Sequence, residues 1–273
     1  MGTVIGPAGI PIGCDGSNVD GLKHSIKLGL GAYEVEFVRG VRMSPRMARE
    51  MRGIKERNNI KVSCHAPYYI NCNNAKNYSM TKRHLHDCLR VNQHLRFTHV
   101  VFHPGFLMGM KREQALKNVI ATIKRIVKEA REKGYNNFTL GPETVGKHSQ
   151  VGTVEELITI CKECPECRPV IDWGHLNAFS HGGLKTRKDF IKPLELIREE
   201  LGKKYLKGLH CHFSEIEYGD KGEIKHHLLG SKWGPDFRVL AELIKERGYD
   251  FSIICETPLI EEDALRMKKV LTA

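Results

Sequence analysis

The sequence predicts an α/β fold: a single (β/α)8 barrel spanning residues 1–273, with a metal site at the C-terminal ends of its strands. Three observations predict it. Short β-branched runs alternate with amphipathic helical stretches about eight times along the chain. The 273 residues match one such barrel and leave little for another domain. Polar, chemistry-bearing side chains recur where the expected strands end.

Strands are expected at 3–5, 33–38, 61–65, 99–103, 138–143, 169–173, 208–213 and 251–256. Between them, 44–57, 111–133, 153–163, 190–201, 235–247 and 261–270 read as helices; 19–30 and 77–95 are less regular. In 111–133, Ala115, Val119, Ile120, Ile123, Ile126 and Val127 recur at helical spacing. Gly134 follows where a C-terminal glycine stop belongs, and Gly248 does the same after 235–247. Asp236 or Ser231 would cap that last stretch. A doubly wound open sheet is the rival arrangement, but no G-x-G-x-x-G opens the first helix. In a barrel, all strand ends converge on one mouth.

Six of the eight strand ends carry imidazoles or carboxylates. They are His65, His103, Glu143, Asp172 with nearby His175, His210 with His212, and Glu256. Any one of them alone reads as an ordinary core histidine or ion-pair partner. Together they crowd charge into one mouth, which is costly unless something pairs it. Divalent cations do so, and His with Asp/Glu but no thiolate suits Zn²⁺, Mn²⁺ or Fe²⁺. So many ligands exceed the needs of one tetrahedral ion, so at least two metals are expected. Two adjacent metals suit phosphoryl displacement.

Composition narrows the setting. Hydrophobic residues at 41% rule out wholesale disorder. No apolar run approaches the roughly 18 residues of a membrane span. No basic, apolar leader opens the chain, so a cytoplasmic protein without a signal peptide is expected. The net charge of +11 is lopsided: residues 1–136 carry +13 and residues 137–273 carry −2. Solvated helix faces explain that blandly; a polyanion partner explains it more sharply. The nine cysteines read mostly as reduced core residues. Cys161-x-x-Cys164-x-x-Cys167 has metal-ligand spacing but no evident fourth ligand.

The strand-end motifs, taken in order, resemble those of the endonuclease IV (type 2 AP endonuclease) family within the xylose-isomerase-like barrels. The carriers are His65-Ala66-Pro67-Tyr68-Tyr69-Ile70-Asn71, Phe102-His103-Pro104-Gly105, Glu143-Thr144-Val145-Gly146 with Ser149 and Gly152, Ile171-Asp172-Trp173-Gly174-His175, Gly208-Leu209-His210, His226-His227 and Glu256-Thr257-Pro258. The resemblance implies zinc, with His65, His103 and Glu143 on one ion. Glu143 would bridge to a second ion held also by Asp172, His210 and Glu256. His175 and His226 would hold a third. It further implies a catalytic role for Glu143, Asp172 and Glu256: attack by hydroxide on the phosphorus 5′ to an abasic site in DNA, leaving a 3′-hydroxyl.

The sequence departs from the family in three places. Ile224 stands where an Asp ligand of the third metal is expected, with Glu223 beside it as a substitute. The usual Asn after Glu143 is missing. His210 is followed by Cys211-His212-Phe213-Ser214-Glu215. His212 shares the face of His210, as an added ligand or, by preference, as a space-filler or orienting neighbour. Two ions are therefore expected to bind tightly, and a third weakly or not at all. DNA contacts are expected from Tyr68 and Tyr69 on the loop after strand three, and from Arg39 and Arg42, with Arg46, Lys76, Lys82 and Arg83 nearby. The rivals are a sugar isomerase or epimerase of the same superfamily, and a metal- and DNA-binding protein that has lost cleavage.

Overall fold

The computed structural model describes residues 2–273. Eight barrel strands follow one another: Val4–Pro7, Ala32–Glu36, Lys61–His65, Val100–Phe102, Leu140–Pro142, Val170–Asp172, His210–Phe213 and Ser252–Cys255. One parallel sheet joins the first, eighth, seventh and sixth; another joins the second to the fifth in order. Parallel bridges close the ring, Ala8 opposite Glu34 on one seam and Glu143 opposite Val170 on the other. The first seam is tight: a Cβ on Gly6 would sit 1.9 Å from the Ala32 carbonyl oxygen. Only glycine allows that approach.

The helices are α1 (Asn18–Lys27), α2 (Pro45–Asn58), α3 (Tyr78–Leu95), α4 (Arg112–Glu132), α5 (Val154–Glu163), α6 (Trp173–Phe179), α7 (Arg187–Leu201), α8 (Phe237–Arg247) and α9 (Ile260–Thr272). All but α6 fall on expected stretches. Asp236 caps α8 by accepting from Arg238 N at 2.9 Å, while the Ser231 hydroxyl instead donates to Glu215. Gly134 and Gly248 take φ of +78° and +63° just past α4 and α8. A Thr153–Glu156 capping box opens α5.

Strand alternation divides the side chains. Tyr33 and Val35, Val62 and Cys64, and Cys211 and Phe213 join the apolar core. Their alternates, Glu34 and Glu36, Ser63 and His65, and His210 and His212, project from the other face, into the barrel. The interior is therefore polar, and Glu34, His65, His99, Glu143, Asp172, His210 and His212 are all buried there. Cys161, Cys164 and Cys167 lie in the apolar core. Among the described residues no cysteine belongs to a group able to hold a metal.

Two antiparallel arms rise beyond the strand ends. Gly105–Phe106 pairs with Gln150–Val151. Glu215–Gly219 pairs with Gly222–His227 as a hairpin. The hairpin is fastened to the loop after strand five by a Lys147–Gly222 bridge and by Glu223 N donating to Gly146 O at 2.9 Å. Among the described residues no helix is long and apolar enough to cross a membrane.

Candidate metal centre

Glu143 lies fully buried at the middle of the mouth. Its Oε2 is 3.1 Å from His65 Nε2 and 3.1 Å from His103 Nε2. Its Oε1 is 3.0 Å from His212 Nδ1, which in turn is 3.2 Å from Glu256 Oε1. One carboxylate thus gives one oxygen to each of two groups, His65–His103–Glu143 and Glu143–Asp172–His212–Glu256. A third group, His175–Glu223–His226, has His175 Nε2 and His226 Nε2 at 3.6 and 3.7 Å from the Glu223 oxygens.

These groups fit divalent ions. Bonds of about 2.0–2.1 Å in tetrahedral geometry put ligand atoms about 3.3 Å apart, and these gaps bracket that value. Asp172 is shared between two tasks. Its Oδ1 accepts from His175 N at 2.7 Å and caps α6, whereas its buried Oδ2 has no hydrogen-bond partner. An orphaned carboxylate oxygen in a fully buried residue calls for a cation. The imidazoles are also held in register. His65 Nδ1–H meets Ala66 O at 2.8 Å, and His175 Nδ1–H meets Thr144 O at 2.8 Å, leaving Nε2 of each free to ligate. His226 Nδ1 sits 2.9 Å from Ser214 Oγ and 3.2 Å from Glu256 O.

Charge in the metal-free cluster is strongly mutual. Burial would lower His65, but its hydrogen bond to Glu143 prevails and raises it to about 10. Burial likewise opposes protonation of His212, yet Glu256, Glu34 and Glu143 hold it well above an ordinary imidazole. Glu143 is held well below the carboxylate range by His212 and His103, against the cost of burial. His103, where burial wins, is lowered. Glu223 is drawn down to about 2 by His226 and His175, again against burial.

The geometry groups the expected ligands differently in one place. His210 does not join Glu143, Asp172 and Glu256; His212 does, and His210 lies one layer deeper, donating from Nε2 to Glu34 at 2.9 Å. Two residues along a strand share a face but differ by about 6.6 Å in depth. The preference for His212 as a space-filler therefore reverses. Ile224 is 61% exposed on the hairpin, and the adjacent Glu223 turns into the third group. His65, His103, Glu143, Asp172, His175, His226 and Glu256 all come together at the mouth.

The open cavity over the centre has a volume of about 410 Å³. Tyr68, Phe106 and Lys147 line it with the ligands. Tyr68 leans over His65 at 5.5 Å between ring centres, but Tyr69 stacks on His84 at 6.0 Å and does not line the cavity. Arg39 and Arg42 are exposed and also lie outside its lining. Lys82 is engaged by Glu129 at 2.8 Å. Sequence reasoning missed Lys147, Glu34 and Glu36. The alternation Tyr33-Glu34-Val35-Glu36 was the signal, since it turns two carboxylates into the barrel. Glu36 Oε1 has no hydrogen-bond partner, and burial raises this carboxyl to about 8.

A closed barrel with clustered imidazole and carboxylate ligands at the C-terminal mouth defines a class of metal-site barrel proteins. Comparison with known proteins gives the family. The model of the xylose isomerase-like TIM barrel matches residues 22–271, and the chain belongs to that family as a divergent member. It is 33% identical to an uncharacterized protein of Methanocaldococcus jannaschii over 97% of this chain and 96% of that one. It is 25% identical to a probable endonuclease 4 of Mycoplasma mobile, over 77% of this chain and 73% of the relative. Endonuclease IV from Thermus thermophilus superposes with a TM-score of 0.73 at 20% identity, covering 97% of both chains. A D-tagatose 3-epimerase-like protein superposes at 0.69 with 21% identity, covering 97% and 96%. At these identities the two structures speak for the fold.

Proposed function

We propose that this protein is a zinc-dependent phosphodiesterase that cuts DNA on the 5′ side of abasic sites, leaving a 3′-hydroxyl, as a step of base-excision repair. The observation that carries the reading is Glu143, whose two oxygens serve two adjacent ligand groups. When bound, the ions supply Lewis-acid charge at the phosphoryl oxygens and lower the pKa of an attacking water. His65, His103 and Glu143 hold one; Glu143, Asp172, His212 and Glu256 hold the second; His175, Glu223 and His226 hold a third. Lys147, lining the cavity, contacts a phosphate, and Tyr68 occupies the gap left by the missing base. Arg39 and Arg42 reach flanking phosphates. The relatives named probable endonuclease 4 support this reading. Nine free cysteines suit the reducing cytoplasm to which we assign it.

An epimerase reading draws on the four-residue group alone, which suffices for one ion beside the buried Glu36. It leaves His65, His103, His175, Glu223 and His226 without an ion to hold. The test is labelled abasic duplex incubated with zinc-reconstituted, manganese-reconstituted and chelator-treated protein. The expected result is a nick 5′ to the lesion that chelation removes and Glu143→Ala abolishes. Intact duplex under every metal refutes cleavage. Tight, lesion-dependent binding without a nick points to a binding protein; no lesion preference at all points to the epimerase.

A further inference from the structure

We infer that Glu34, on the second barrel strand, is the positioning residue that fixes the tautomer of His212 and so builds the second ion site. The inference rests on the metal-centre part of the reading above, not on the reaction assigned to it.

Glu34 is fully buried, and no cationic side chain other than an imidazole pairs with it among the described residues. An isolated carboxylate at that depth is costly. Its partners come from strand seven. Oε2 accepts from His210 Nε2 at 2.9 Å, and Oε1 lies 2.8 Å from His212 Nε2. The second contact is short but out of line with the ring N–H, so neither atom makes a well-aimed hydrogen bond, and neither has another partner. A lone pair on Nε2 facing a carboxylate oxygen at 2.8 Å is repulsive, so Nε2 carries the hydrogen. Nδ1 faces Glu143 and Glu256 at 3.0 and 3.2 Å and carries a hydrogen too in the metal-free cluster; an ion held there displaces that hydrogen and takes the Nδ1 lone pair, while Nε2–H stays toward Glu34.

The comparison with the other imidazoles sharpens this. His65 and His175 are keyed by backbone carbonyl oxygens, and His226 sits against one as well. The backbone keys survive substitution of the residues that carry them. His212 alone among these four is keyed by a carboxylate, His226 meeting the Ser214 hydroxyl beside its carbonyl, and it also ligates through Nδ1 rather than Nε2. Carboxylate–histidine–metal arrangements of this kind set ring orientation and ligand basicity, and losing the carboxylate typically costs about 10–100-fold in metal affinity. The 2.8 and 2.9 Å separations around Glu34 are also of hydrogen-bond length, shorter than the 3.0–3.7 Å ligand gaps at the mouth. Glu34, His210 and His212 also lie close enough to gather around an ion, but the hydrogen-bond-length separations favour Glu34 as a partner of the imidazoles.

The test compares wild type with Glu34→Gln, which keeps the shape but cannot accept from both imidazoles. Zinc affinity is read by competition with a chromogenic chelator, and the site is resolved by the visible spectrum of the cobalt-substituted protein. The expected result is a loss of about 10–100-fold at one ion with the His65–His103 ion retained. Equal affinity in a folded Glu34→Gln protein overturns the inference, as does an equal loss at every ion. On zinc-loaded wild type, long-range ¹H–¹⁵N spectra should show His212 protonated at Nε2; a proton on Nδ1 overturns the inference even where Glu34→Gln does not fold. A wild-type protein that binds no zinc refutes the metal centre itself, which separates the two failures.

Discussion

Stripping the metals should make stability fall as pH rises through the alkaline range. In the metal-free protein His65 is paired with Glu143 and is raised from 6.5 to about 10. A folded-state pKa above the unfolded one contributes stability that is fully present below pH 6.5 and is lost as pH rises through 10. That gap is worth about 5 kcal/mol at its upper bound. For a chain of this size each 1 kcal/mol moves the midpoint by roughly 2–4 °C, so a drop on the order of 10 °C is expected. Glu36, raised to about 8 by burial, acts in the same direction, because the folded state holds its proton between pH 4.5 and 8 while the unfolded state does not. Global charge works the other way: moving from pH 6.5 toward the pI of about 9.2 relieves positive self-repulsion. Zinc replaces the protons, so the reconstituted protein should stay level across the window. Thermal unfolding of chelated and reconstituted protein at about pH 6.5, 8 and 10 measures this. A metal-free midpoint that is flat or rising refutes the electrostatic account, and so does a parallel fall in the zinc-loaded protein.

Four further outcomes are expected. His212→Asn should lower zinc content by about one ion per chain on native mass spectrometry, whereas His210→Asn should leave the count unchanged. Glu223→Gln should lose the third ion while Ile224→Ala keeps it; the reverse pattern in metal analysis would return the third site to doubt. Tyr68→Ala should weaken abasic-duplex binding by roughly tenfold, within the about 1–3 kcal/mol of base stacking, and Tyr69→Ala should not, as read by fluorescence anisotropy. Gly6→Ala should cost about 3 kcal/mol or more, the upper end of overpacking, because its Cβ would collide with the Ala32 backbone; a normal denaturant midpoint would show that this seam can relax.

The barrel was legible because each of its units repeats the same pattern, and a period-2 run cannot be confused with a long period-3.6 stretch. Helix α6 was not, since seven residues make barely two turns and its cap, Asp172, is the last residue of a strand. The shorter arm escaped for a related reason: the two-residue strands Gly105–Phe106 and Gln150–Val151 have no period to detect. At the site, residue type revealed Glu143, Asp172 and Glu256, whose positions after apolar runs are unambiguous. Depth was another matter. His210 and His212 have identical local credentials, and only the closed barrel decides which reaches the mouth. The alternation could place Glu34 inside the barrel but not name its partners, which lie far along the chain, His210 being 176 residues away.

The hairpin that carries Glu223 and His226 gives the third site a character the other two lack. The first two groups are built on strands of a closed ring. The third joins α6 to an appended arm whose fastening to the barrel runs through Gly146 and Lys147. Binding of an ion there and docking of the arm would thus be linked equilibria, each shifting the other by the same free energy. Whatever presses on the arm would tune the grip on an ion held there, and that ion would in turn set how firmly one wall of the mouth stands.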